Sequence, residues 1–83
     1  MDTITVNQAV KMRVNDLLKS QHMTAYRLAE NSGLSHARLW CILHDKNKTV
    51  TLTTVMLLAQ GFNISLIEFL NCNYFTDCQI DLE

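Results

Sequence analysis

The stretch LAENSGLSHARLWCIL, Leu28 to Leu43, decides the fold. It holds two short apolar-patterned runs split by one glycine, Gly33. Glycine takes positive φ without steric penalty, so Gly33 can close a helix at the position just past its end. Ser35 can then open the next helix as its N-cap. Leu34 before that cap and Leu39 after it have the spacing of a hydrophobic staple. The stretch therefore predicts two short helices joined by a tight turn, crossing steeply. Leu28, Leu34, Leu39 and Ile42 face the remaining core, and Ala29 is small where the helices approach closest.

The second of these helices has an unusual outer face. At about 100° per residue, with Leu39, Ile42 and Leu43 inward, the opposite residues are Ala37, Cys41 and His44. His36, Arg38 and Trp40 lie on the flanks. A helix that only needs to be stable fills such a face with Glu, Lys and Gln. This one carries no acid between Ser35 and His44. An acid there would be repelled by phosphate, and helix N-termini favour anions through their free N–H groups.

The flanking sequence supplies three more helices. Thr5 and Gln8 form a capping box that starts a helix over 6–20, with Val10, Val14, Leu17 and Leu18 on one stripe. Thr24 caps the helix that leads into the opening stretch, with Ala25, Leu28 and Ala29 inward. The polar segment 44–50 reads as a loop. Thr51 caps a fourth helix with Leu52, Val55, Met56, Ala59 and Phe62 on one face. Gly61 in its last turn weakens it, and Asn63 can end it in the left-handed conformation. Ser65 and Glu68 form a capping box for a short fifth helix, with Ile64 and Phe69 as its staple pair. Residues 71–83 have no clear period and form a tail of uncertain structure.

Size and composition narrow the class. Eighty-three residues fit one domain, spanning 1–83. Hydrophobic residues make up 48%, proline is absent and glycine occurs only twice, so an all-α chain is expected. No apolar run reaches the ~18 residues that span a bilayer, and the N-terminus lacks the basic and apolar regions of a secretory signal. Three cysteines, at 41, 72 and 78, are an odd count and read as reduced thiols of a cytoplasmic protein. Net charge is only −1, but residues 1–60 hold all seven basic residues against four acids, whereas 61–83 hold four acids and no base. One end can face an anion and the other cannot.

No enzyme signature is present: there is no P-loop and no His-Glu-x-x-His, and no acids pair for acid–base work. No cofactor or metal is expected. Cys72 and Cys78 lack metal-site spacing, and His22, His36 and His44 are too scattered. Cys41 reads as a plain small residue rather than a redox switch. Trp40 can wedge against a nucleic acid or pack at the helix edge. Packing is favoured, because Trp buries a large apolar area.

The pattern Met23-Thr24-x-x-x-Leu28-Ala29-x-x-x-Gly33-Leu34-Ser35-x-x-x-Leu39-x-x-Ile42-Leu43 resembles the phage repressor and Cro-type helix-turn-helix transcriptional regulators. The resemblance continues through Lys46-x-Lys48, Thr51-Leu52-x-Thr54, Leu58-Ala59 and Ile64-Ser65-Leu66-x-Glu68-Phe69, covering roughly residues 7–70. It implies a lambda-repressor-like domain of five helices, with the helix-turn-helix at 24–44. It also implies a cytoplasmic bacterial or prophage regulator, a repressor by expectation, that binds double-stranded operator DNA, usually as a dimer. Separately, the fifth helix and the tail (Ile67, Leu70, Tyr74, Phe75, Ile80 and Leu82) are too apolar for a solvated end, so they are expected to form a homodimer contact or else to fold back over helices one and four. The third helix would lie in the major groove. Carried over by position, Ser35, His36, Ala37, Arg38 and Cys41 would read bases, and Thr24, Ala25 (through its backbone N–H), His44, Lys46 and Lys48 would hold phosphates. No small-molecule ligand is expected.

The chain departs from the family where it matters. Ala37 offers only a methyl contact, and Cys41 is a weak hydrogen-bonder. Asp45, Val50 and Asn63 stand where the family often has Gly, Pro and Gly. The alternative is therefore a helix-turn-helix that serves as a protein-interaction module, an antirepressor or regulatory partner, with weak or no DNA binding.

Overall fold

The computed structural model describes residues 3–44, 50–76 and 79–81. A short strand, β1 (Thr3–Thr5), leads into helix α1 (Val6–Ser20), followed by α2 (Ala25–Ser32), α3 (His36–Leu43), α4 (Leu52–Gly61) and α5 (Leu66–Leu70). A single turn, α6 (Asn73–Thr76), and a strand, β2 (Gln79–Asp81), follow. The fold is all-α in class, and the strands add one parallel pair with Ile4 opposite Ile80.

Local chemistry starts each of the first five helices. Thr5, Thr24, Ser35, Thr51 and Ser65 all have extended backbone, and each hydroxyl accepts the N–H three residues on. These bonds run 3.1–3.2 Å and satisfy donors that a helix start leaves without a partner. Gln8 Oε1 also accepts from the Thr5 N–H at 3.0 Å, completing the capping box.

The turn between α2 and α3 is built by two adjacent residues. Gly33 has φ +81° and donates its N–H to the Ala29 carbonyl at 3.1 Å. Ser32 is buried, and its Oγ both donates to the Ala29 carbonyl and accepts from the Leu34 N–H, each at 3.3 Å. Asn63 takes φ +60° after α4, as the sequence implied. His22 takes φ +52° between α1 and α2, a position the sequence did not mark.

The core is a set of stripes. Helix α1 contributes Ala9, Val10, Val14 and Leu17, and the helix-turn-helix contributes Leu28, Ala29, Leu34, Leu39 and Ile42. Val55, Leu58, Ala59 and Phe62 of α4 and Phe69 of α5 complete it. Helix α2 packs on α4, and α3 packs on α1.

Helix α4 corrects its sequence reading. Periodicity puts Leu52 and Met56 inward, yet they are 62% and 44% exposed, and Leu58 and Thr54 are buried instead. The helix is apolar on so many sides that its phase cannot be read from spacing. Gly61 also has a role beyond weakening the helix. A Cβ there would lie 2.8 Å from Leu28 Cδ1 and 2.9 Å from Ser32 Cβ. The bare glycine lets α2 and α4 approach.

The C-terminal segment folds back on the first helix. Tyr74 donates its hydroxyl to Asp16 Oδ2 at 2.6 Å, and Phe75 lies 6.4 Å from Phe69 between ring centroids. Arg13 of α1 caps α5 from outside the helix. Its Nε donates to the Phe69 carbonyl at 2.7 Å and its guanidinium also donates to the Glu68 carbonyl at 2.8 Å. The Glu68 carbonyl also accepts from the Asn71 N–H at 3.3 Å, so Arg13 adds a second donor there and supplies one to the Phe69 carbonyl at the end of the helix.

Candidate nucleic-acid interface

Helix α3 presents its N-terminal end outward. Ser35, His36, Ala37 and Arg38 are all exposed. Ser35 Oγ accepts from the Arg38 N–H, so the serine fixes the backbone from which the others project. Among the described residues, no side-chain hydrogen bond or ion pair holds the Arg38 guanidinium. Its five donors therefore remain available to a ligand. Cys41 is a half-buried free thiol, turned further inward than the helical wheel placed it.

The phosphate candidates divide. Thr24 is exposed at the start of α2, where its Oγ1 accepts from the Arg27 N–H. Ala25 is the first residue of α2, so its own N–H has no helical carbonyl to bind. His44 ends α3, exposed, with Nδ1 2.9 Å from the Trp40 carbonyl oxygen. Lys46 and Lys48 lie outside the described residues.

The structure brings three of these candidates together. Ala25, His36 and His44 line one groove of 220 Å³ between the start of α2 and the length of α3. Tyr26, Leu39, Trp40 and Leu43 complete its lining. Two stacked pairs border it. Tyr26 and His36 have ring centroids 4.6 Å apart at 27°, and Trp40 and His44 are 4.2 Å apart at 18°. His36, Trp40 and His44 recur every four residues, so they form one stripe on α3.

Trp40 corrects its expected packing. It is 52% exposed and stacks on His44 at the surface. Tyr26, 68% exposed, and Glu30 were not singled out from the sequence. Glu30 Oε2 lies 3.4 Å from His36 Nε2, so α2 supplies the carboxylate that α3 itself lacks. Their four-residue spacing on α2 was the available signal: it puts both on the face that meets the start of α3. Among the described residues, no group of three or more His, Cys, Asp or Glu could hold a metal ion, and no helix is long and apolar enough to cross a membrane.

Two capped helices at a glycine turn, with the second presenting a cationic, acid-free end, define a helix-turn-helix domain. A family model, the Cro/C1-type HTH DNA-binding domain, matches residues 13–74. The chain belongs to this family. Neither a curated protein nor a solved structure matches it. The family match extends past α5 to Tyr74, so it takes in the aromatic residue that ties the C-terminal segment to α1.

Proposed function

We propose that the protein is a sequence-specific transcriptional regulator, a repressor, that reads an operator major groove with α3. The observation that carries this reading is the exposed, acid-free run Ser35–Arg38 beside the start of α2. Arg38 is the principal base reader, because a guanidinium can be bidentate to guanine and discriminate by about 1–3 kcal/mol. His36, Ala37 and Cys41 shape the rest of the contact. Thr24, Ala25, His44, Lys46 and Lys48 hold phosphates, and the protein works in the cytoplasm.

The test is fluorescence-anisotropy binding to a randomised duplex pool at two salt concentrations, with Arg38→Ala beside the wild type. Wild-type binding should fall with salt at a log–log slope of roughly −4 to −5, for about four to six phosphate contacts per dimer. Arg38→Ala should bind more weakly and with less selectivity, at nearly the same slope. Absence of binding to any duplex at low salt refutes the proposal.

The working unit in this proposal is a homodimer. Ile67 on α5 is 80% exposed, an apolar side chain left outside the core. Tyr74 and Phe75 are already used within the chain, so the α5 face is the stronger candidate for the contact. A monomer by sedimentation at tens of micromolar refutes the dimer.

A second reading is favoured by the groove itself. Its exposed Tyr26 and Trp40 would suit a protein partner as well as a sugar–phosphate strand. That reading, a protein-interaction module with weak DNA binding, takes over if no duplex is bound.

A further inference from the structure

His36 is the first residue of α3, and two residues of α2 hold its ring from different sides. The Tyr26 ring stacks on it at 4.6 Å, and Glu30 Oε2 lies 3.4 Å from its Nε2. The three side chains are exposed, with His36 and Glu30 at 52% and 55%. The clamp is therefore no part of the core. An exposed imidazole free to change rotamer reads a base edge poorly, because discrimination needs a fixed ring.

We propose that Tyr26 and Glu30 are positioning residues that fix the ring and tautomer of His36, and so set which base is preferred opposite it. The proposal rests on the DNA-binding reading. Stacking on Tyr26 fixes the ring plane. The Glu30 carboxylate favours the imidazole proton on the nearer nitrogen, Nε2, and the partner of one ring nitrogen decides the state of the other. Nδ1 of neutral His36 is then an acceptor. In the major groove an acceptor fits the exocyclic amine of adenine or cytosine and is mismatched to the O6 of guanine or the O4 of thymine. Glu30 also sets one negative charge beside a phosphate-binding surface, which weakens binding to DNA of any sequence.

The experiment uses the full chain. Sites selected from a randomised duplex pool give the base preference at each position, and His36→Ala identifies the position that His36 reads. Wild type, Tyr26→Ala, Tyr26→Phe and Glu30→Gln are then titrated with four duplexes that differ only there. We expect the wild type to prefer adenine or cytosine by about threefold to tenfold, the range of one hydrogen bond. Tyr26→Ala and Glu30→Gln should flatten that preference and leave the position read by Arg38 unchanged. Tyr26→Phe should keep it, and Glu30→Gln should bind non-specific duplex more tightly. In the free protein, NMR should show His36 ring protons shifted upfield by the Tyr26 ring in wild type and Tyr26→Phe, but not in Tyr26→Ala. Full preference retained in both Tyr26→Ala and Glu30→Gln, or no ring-current shift in the wild type, overturns the clamp. Wild type that binds no duplex refutes the DNA-binding reading, and the clamp's reading role falls with it.

Discussion

Replacing Gly61 with alanine sets two effects of opposite sign against each other. Alanine in a helix is more favourable than glycine by about 1 kcal/mol, so Gly61→Ala would stabilise an isolated α4. The neighbours oppose it. The added methyl would sit 2.8 Å from Leu28 Cδ1, 2.9 Å from Ser32 Cβ and 3.2 Å from the Ser32 backbone nitrogen. Carbon atoms in contact prefer about 3.5–4.0 Å. Leu28 is fully buried and Ser32 is held by two hydrogen bonds in the turn. The Leu28 methyl can turn only into the packed core and Ser32 cannot yield without moving α2, so overpacking of this kind costs about 1–3 kcal/mol. Because Gly61 closes α4, little of the propensity gain is realised, and the net effect is a loss of about 1–2 kcal/mol. For a chain of this size that lowers Tm by roughly 4–16 °C. Thermal and urea unfolding followed by circular dichroism measure it. Gly33 is the control, since its added Cβ would meet nothing within 4 Å and only its φ of +81° resists substitution. Asparagine tolerates that conformation, so Gly33→Asn should be milder than Gly33→Ala, whereas Gly61→Asn should be worse than Gly61→Ala. A Gly61→Ala protein as stable as the wild type would refute the close approach of α2 and α4.

Two further predictions follow from single contacts. Arg13→Ala removes its two hydrogen bonds to the Glu68 and Phe69 carbonyls at the end of α5, leaving the Asn71 N–H on Glu68, and should destabilise by about 1–2 kcal/mol. Arg13→Lys should restore little, because an ammonium cannot reproduce the fork; urea unfolding of the three proteins checks this, and an unchanged Arg13→Ala midpoint would refute it. The single tryptophan, Trp40, should show the emission and iodide quenching of an exposed indole, and bound duplex should shield it. A shielded indole in the free protein would contradict its surface stacking.

What the sequence disclosed is what is local in the chain. Thr5, Thr24, Ser35, Thr51 and Ser65 were legible as caps because a hydroxyl three residues before an N–H needs nothing from elsewhere. Gly33 and Asn63 were legible because positive φ selects few residue types. Helix α1 was legible because its polar and apolar faces differ. Helix α4 lacks that contrast, so Leu52 and Met56 were misplaced. The pairing of β1 with β2 and the bond from Tyr74 to Asp16 join distant parts of the chain, and no local pattern encodes them. Of the site, Ser35, His36, Ala37 and Arg38 emerged on the expected surface, since the helix-turn-helix geometry alone places them. Tyr26 and Glu30 were hidden because their significance lies across the turn, in which side chain of α3 they meet.

The weakness of the reading face argues for two copies on DNA. A specific regulator must favour its site over other DNA by about 4–10 kcal/mol. In the proposed reading, Arg38 of one α3 would supply about 1–3 kcal/mol as the strong base reader and His36 about 1 kcal/mol more, while Ala37 and Cys41 would add only apolar or weak contacts. One domain alone thus reaches at most the bottom of the range. Two copies on a two-fold site bring the Arg38 share to about 2–6 kcal/mol, which enters it. The discrimination should therefore depend on both half-sites. A duplex with one half-site should outcompete random sequence only by the roughly fivefold to 150-fold that about 1–3 kcal/mol allows, and a duplex with both should be bound at least about tenfold more tightly again. Sedimentation of the complexes should give two chains per full site. Equal affinity for half and full sites would show that one α3 already suffices, and would refute both the dimer and the assignment of Arg38 as the dominant reader.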